Sequence, residues 1–255
     1  MITSDILQNR IKNFWGYGSL ESPVWLVGME ERFDSSRLGE YELEKQFNYT
    51  KENSINGMLD VKRSDMSKWK ELSNLSPFLK YAKLQKTWKL PIYLYLYLKN
   101  SNKDIITNIN VLNFQINILC DSSINEASTI ELSPLPAFST NEWTYGKYGI
   151  FEMETRNKYY KNFLPDRAER IKELVNKYKP KLVIFYSSNQ KTHLPRWVQI
   201  IGKMPELISN PENRLSMYFA NNGNTSFCII PQPTAGVSYS ELYEYAEKIK
   251  ERIKF

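Results

Sequence analysis

Four short segments of this chain carry dense runs of apolar and β-branched residues, and five longer ones space their apolar residues at helical intervals. The short segments are Val24-Trp25-Leu26-Val27, Ser128-Thr129-Ile130-Glu131-Leu132, Lys181-Leu182-Val183-Ile184-Phe185-Tyr186 and Ser226-Phe227-Cys228-Ile229-Ile230. Bounded by Pro, Gly and Ser, they read as strands buried on both faces. Ile6, Ile11 and Phe14 predict a first helix, closed by the glycines of Phe14-Trp15-Gly16-Tyr17-Gly18. Thr87 to Lys99 reads as a helix rather than a Tyr/Leu strand, because Phe78 to Trp88 before it also has helical spacing, and a further helix falls within Ile105 to Cys120. The clearest helix runs from Asp166 to Tyr178, with Pro165 before it, Ile171, Leu174 and Val175 on one face, and Pro180 as its stop. Ser240 to Ile253 is a last helix, and Asn221-Asn222-Gly223-Asn224 reads as a turn.

Between Asp34 and Asn74 the text is polar and poorly periodic, with one helical turn at Glu40 to Gln46. This predicts an insertion or long loop in a single domain spanning residues 1–255. Strands alternating with helices predict an α/β fold whose central sheet is mostly parallel, four-stranded and covered by helices on both faces, a three-layer α/β/α sandwich. Ligands in such folds gather at the carboxyl ends of the strands. That rule singles out Gly28 to Phe33, Glu131 to Pro136 and Pro231 to Val237.

Composition narrows the chemistry. One histidine, His193, and two distant cysteines, Cys120 and Cys228, exclude a zinc finger or ribbon. So few cysteines fit an intracellular, reduced protein, and the N-terminal text has no apolar run of signal-peptide length. Tyr93 to Leu98 is too short to span a bilayer, so a cytoplasmic protein with no membrane partner is expected. The 34 Lys and Arg exceed the 28 Asp and Glu by a net charge of +6, which suits a phosphate backbone without demanding one.

Taken together, the three strand ends resemble motifs of the uracil-DNA glycosylase superfamily. In that superfamily the first buried strand ends in a glycine and a water-activating loop, as in Gly-Gln-Asp-Pro-Tyr or Gly-Met-Asn-Pro-Gly. Here the text is Gly28-Met29-Glu30-Glu31-Arg32, with Glu30 on the Asp or Asn position and Glu31 in place of the proline. The second family segment is a strand carrying a base-reading Asn, and Ile130-Glu131-Leu132-Ser133-Pro134-Leu135 lies over it with Glu131 at that position. The third is His-Pro-Ser or Asn-Pro-Ser followed by an intercalating apolar residue and a final helix. Gln232-Pro233-Thr234-Ala235-Gly236-Val237-Ser238 lies there, with Gln232 on the His or Asn position and Val237 near the wedge position. The resemblance covers residues 14 to 237.

The resemblance implies a monofunctional DNA glycosylase that needs neither cofactor nor metal and works as a monomer on DNA. Glycosidic cleavage passes through an oxocarbenium-like sugar, so it needs a carboxylate or water-orienting acceptor, for which Glu30 stands, and a donor to the departing base, for which Gln232 stands. Gln232 cannot titrate, so it would stabilise the leaving base only as a dipole. An ionised Glu131 offers acceptors only, which match an exocyclic amino group such as that of cytosine. A modified cytosine, or another amino-bearing base, is therefore expected rather than uracil, which brings in the superfamily's antiviral branch acting on glucosylated hydroxymethylcytosine in phage DNA.

Flipping the base requires stacking and wedge groups. Met29, Phe33, Phe47 and Tyr49 are the base-binding candidates beside Glu131, and Arg32, Thr234, Val237, Ser238 and Tyr239 the DNA-binding ones. Trp15 and Tyr17 either line the same pocket or pack under the first strand, and Lys147, Lys191, Arg196 and Arg214 are further candidates for the DNA backbone. His193 reads as a surface-loop residue after the third strand. Two other readings stand beside this one: a nucleic-acid-binding module without catalysis, and a hydrolase of free nucleosides.

Overall fold

The computed structural model describes residues 2–30, 40–62, 77–80, 82–102, 106–137, 142–187, 189–209, 216–232 and 237–253. Among these it has seven α-helices and one mixed sheet of eight strands. The helices are α1 (Ser4–Asn13), α2 (Glu40–Asn53), α3 (Lys86–Asn100), α4 (Asn108–Asn117), α5 (Arg156–Tyr178), α6 (Gln190–Ile201) and α7 (Tyr239–Ile249). The strands are β1 (Gly16–Tyr17), β2 (Val24–Gly28), β3 (Met58–Leu59), β4 (Ala127–Glu131), β5 (Leu182–Ser187), β6 (Glu206–Ser209), β7 (Met217–Asn221) and β8 (Ser226–Pro231), in the spatial order β3-β1-β4-β2-β5-β8-β7-β6.

The four strands legible in the sequence are the central ones, and they run parallel: β2 pairs with both β4 and β5, and β5 with β8. A four-stranded sheet is nonetheless too small. Two short strands extend it beyond β4, and an antiparallel hairpin, β6 and β7, extends it beyond β8. Side chains alternate strictly across the centre. Val24, Leu26, Leu182, Ile184, Cys228 and Ile230 join a core shared with α3, α4 and α7. Trp25, Val27, Val183, Phe185, Phe227 and Ile229 join a second core shared with α1, α2, α5 and α6. Each strand residue thus serves one core or the other, which is why these segments read as continuously apolar.

Several boundaries differ from the sequence reading. The expected loop after Asp34 contains α2, whose helix runs to Asn53 rather than stopping at Gln46, and β3, which joins the sheet. Leu43 and Phe47 supply the missing periodicity by entering the second core. Residues 77–80 form turns, so α3 starts only at Lys86. Helix α5 begins at Arg156, ten residues before Asp166, and carries Pro165 inside it. Thr155 caps it, its hydroxyl accepting from the Lys158 N–H at 3.2 Å. Lys179 in the left-handed region at φ 50°, followed by Pro180, ends it as expected.

Candidate active site at the carboxyl ends of the parallel strands

The chain leaves β2 toward β3 at one edge of the sheet and leaves β5 toward β6 at the other, so the connections diverge between β2 and β5. In parallel α/β sheets that divergence opens a crevice at the carboxyl ends. Glu30, two residues past β2, stands there, as do Ser187 at the end of β5 and Gln232 just past β8.

Glu30 is held from α5. Arg156 Nη1 forms an ion pair with Glu30 Oε1, and the Tyr160 hydroxyl donates to Oε2 at 3.3 Å. Arg156 also donates through Nη2 to the Glu142 carbonyl at 2.6 Å, and its guanidinium lies 5.2 Å from the Trp143 ring centroid. The Glu30 and Arg156 side chains are only 14% and 11% exposed. Burial pushes the Glu30 carboxyl above its ordinary range, while the charge and hydrogen bond of Arg156 pull against it. Burial together with the Glu30 charge pushes the Tyr160 phenol up to about 12, so it stays a donor at neutral pH.

Glu131 closes β4 directly beside Gly28 in the register and is 6% exposed. Ile130 and Val27, one residue earlier on each strand, enter the second core, so Glu131 and Gly28 face the first. There the Tyr186 hydroxyl covers Gly28: a Cβ on that glycine would stand 2.6 Å from it. Any side chain at this strand end would make Tyr186 shift, so it is close approach and not backbone conformation that favours glycine here. Burial and the nearby Glu131 charge push the Tyr186 phenol well up, and Trp88 hydrogen-bonds to it. The Glu131 carbonyl accepts from Arg167 at 2.9 Å, and the same buried guanidinium serves the carbonyls of Ile11 at 3.1 Å and Phe14 at 2.6 Å.

Gln232 is tied to the neighbouring strand by its backbone, its N–H donating to the Ser187 carbonyl at 3.1 Å. The Ser187 hydroxyl lies 2.6 Å from His193 Nδ1 and accepts the Asn189 N–H at 2.9 Å. The hydroxyl has a second lone pair and its own proton beside that N–H, so the imidazole tautomer decides which of Ser187 and Nδ1 donates to the other. His193 is therefore not a surface-loop residue. It lies in α6, buried, edge-on to Tyr160 at 6.2 Å and to Trp197 at 6.0 Å. Burial pushes its pKa down to about 4. Tyr160, His193 and Ser187 thus form a continuous line of contacts from Glu30 to the backbone of Gln232.

The remaining expected residues divide sharply. Phe47, 2% exposed, lies in the second core with Arg10 5.1 Å from its ring centroid, so it is no stacking platform. Arg10 uses Phe47 and Phe14 as a shelf while donating to the Pro134 carbonyl at 3.0 Å and the Thr50 hydroxyl at 2.7 Å. Val237 is buried in the first core and does not project as a wedge. Ser238 is the N-cap of α7, engaged in a capping box with Glu241. Tyr239 packs on Tyr93 at 4.5 Å, and its hydroxyl donates to Asn108 at 2.9 Å. Tyr49 packs against the first core and Met29 against the second, both partly buried. Trp15 is buried under Arg167, and Tyr17 is buried in the first core, so both pack. Arg32, Phe33, Thr234 and Arg214 lie outside the described residues.

Arg156 and Tyr160 were not singled out from the sequence, because Pro165 suggested a helix start and hid the turn before it. Their i, i+4 spacing behind the Thr155 cap was the available signal. Among the described residues no group of three or more His, Cys, Asp or Glu side chains is arranged to hold a metal ion. Fold and site define an α/β protein with a partly buried, arginine-paired carboxylate at the divergence of its parallel strands. No family model, no curated protein and no solved structure matches the chain.

Proposed function

We propose that this protein is a monofunctional DNA glycosylase of the uracil-DNA-glycosylase type, a three-layer α/β/α sandwich around a four-stranded parallel core. It hydrolyses the N-glycosidic bond of a modified base and leaves an abasic site. The observation that carries this reading is Glu30, a partly buried carboxylate at the carboxyl end of β2 where the strand connections diverge. A carboxylate in that place orients the attacking water and faces the positive charge that develops on the sugar. Arg156 opposes the effect of burial on its carboxyl, and Gln232 donates to the departing base. Glu131, buried and confined to accepting hydrogen bonds when ionised, favours a base with an exocyclic amino group, the class of modified cytosine. The resemblance to the superfamily's antiviral branch extends the proposal to glucosylated hydroxymethylcytosine in phage DNA, acted on by a cytoplasmic monomer.

Incubation with oligonucleotides and phage genomes carrying different cytosine modifications, followed by cleavage at abasic sites, tests the reading. Wild type yields abasic sites on an amino-bearing modified base, and Glu30→Gln loses about 2.7 to 4 kcal/mol of barrier stabilisation, a hundredfold or more in rate. Equal activity of Glu30→Gln and wild type overturns the assignment. The Glu30–Arg156 ion pair favours a second reading, a DNA-binding module that has lost catalysis, because it occupies the carboxylate. DNA binding with no abasic site on any substrate selects that reading.

A further inference from the structure

The stretch from Glu142 to Lys158 interleaves aromatic and basic side chains, and the fold divides them between an inner and an outer row. On the inner side Trp143 donates its indole N–H to the Met153 carbonyl at 2.7 Å and receives the Arg156 guanidinium that reaches Glu30. On the outer side, Gly149 in the left-handed region at φ 73° turns the chain between two single-turn helices, Tyr145–Tyr148 and Phe151–Met153. Phe151 emerges 71% exposed, with Lys158 Nζ only 3.6 Å from its ring centroid. Lys147 Nζ lies 5.4 Å from the Tyr148 ring. The nearby acids are Glu154, which pairs with Lys158, and the exposed Glu152.

A lysine fixed over one face of an exposed ring leaves the other face open to a planar ligand. It also sets a positive charge where the phosphate of a stacked nucleotide would lie, with phosphate displacing Glu154. Lys158 stands two residues from both Arg156 and Tyr160 on α5, about 200° around the helix, so Lys158 and the Phe151 ring under it lie on another side of α5 from the pair that holds Glu30. We propose that Phe151, Lys158 and Lys147 form a surface that grips a DNA strand on the side of α5 turned away from Glu30, a base stacking on Phe151 and phosphates meeting the two lysines. This inference rests on the DNA reading above. It moves the strand-contacting role from the buried Val237 to an exposed aromatic on the opposite core's side of the sheet.

The test is fluorescence anisotropy of the full chain with a single-stranded oligonucleotide and with a duplex, over a range of salt. Wild type binds, and Phe151→Ala weakens binding about tenfold, the effect of one base–aromatic stack. Lys158→Gln and Lys147→Gln each lower the slope of affinity against salt by about one. Unchanged thermal melting of the variants excludes misfolding. Variants that bind DNA as wild type does overturn the proposal, even if abasic sites form and the glycosylase reading stands. Weakened binding by these variants upholds it even where no substrate yields an abasic site and the glycosylase reading falls. Absence of any DNA binding by wild type overturns both.

Discussion

Glu30 is poised between two opposed effects, burial that favours its neutral form and Arg156 that favours its charged form. Removing the guanidinium leaves burial unopposed. In Arg156→Met the Glu30 pKa therefore rises further, and, on the proposed glycosylase reading, the acid limb of the base-release profile moves to higher pH. A profile of unchanged position with uniformly lower rate contradicts this role, because a merely structural contact would not move the titration. His193 reports on stability instead. Its ring titrates at about 4 in the folded state against 6.5 when free, so the unfolded chain binds a proton that the folded one refuses. The stability it contributes is fully present above pH 6.5 and is lost as pH falls toward 4. Between about pH 7 and about pH 5 this loss amounts to roughly 2 kcal/mol. Urea unfolding at the two values shows it in wild type, and His193→Gln removes that part of the pH dependence.

At the level of elements, Arg167 links three parts of the molecule. From α5 it donates to carbonyls at the end of α1 and at the end of β4, and it packs 4.0 Å from the Trp15 ring centroid. Arg167→Leu leaves those carbonyls buried without that donor, at about 1–3 kcal/mol each. The expected loss is about 3 kcal/mol or more, read from the urea midpoint. A loss below about 1 kcal/mol would mean that water or a neighbour replaces the guanidinium. Arg167 is part of the sequence's clearest helix, yet its role was not legible there, since its partners lie 156, 153 and 36 residues away. The same limit explains α2 and α5. Their apolar faces are thin, and Leu43, Phe47, Tyr159 and Leu164 count as core only because α1 and the sheet lie opposite.

For the molecule as a whole, burial of both cysteines gives a direct test of the two-sided core. Cys120 and Cys228 are fully buried, and burial pushes both thiols up to about 12. Neither should react with a thiol reagent in the native protein, and both should react once guanidinium unfolds it. Rapid native labelling of either would show that its side of the sheet opens readily. The sequence by itself determined the four central strands, most of the helices and three strand ends worth inspecting, because doubly buried strands and amphipathic helices write their burial into local composition. The tertiary structure alone decided which groups meet there. It brought Arg156 and Tyr160 to Glu30, linked His193 through Ser187 to Gln232, and took Phe47 and Val237 into the cores. Those outcomes depend on which helix packs on which face of the sheet, and such long-range packing leaves no periodic trace in the chain.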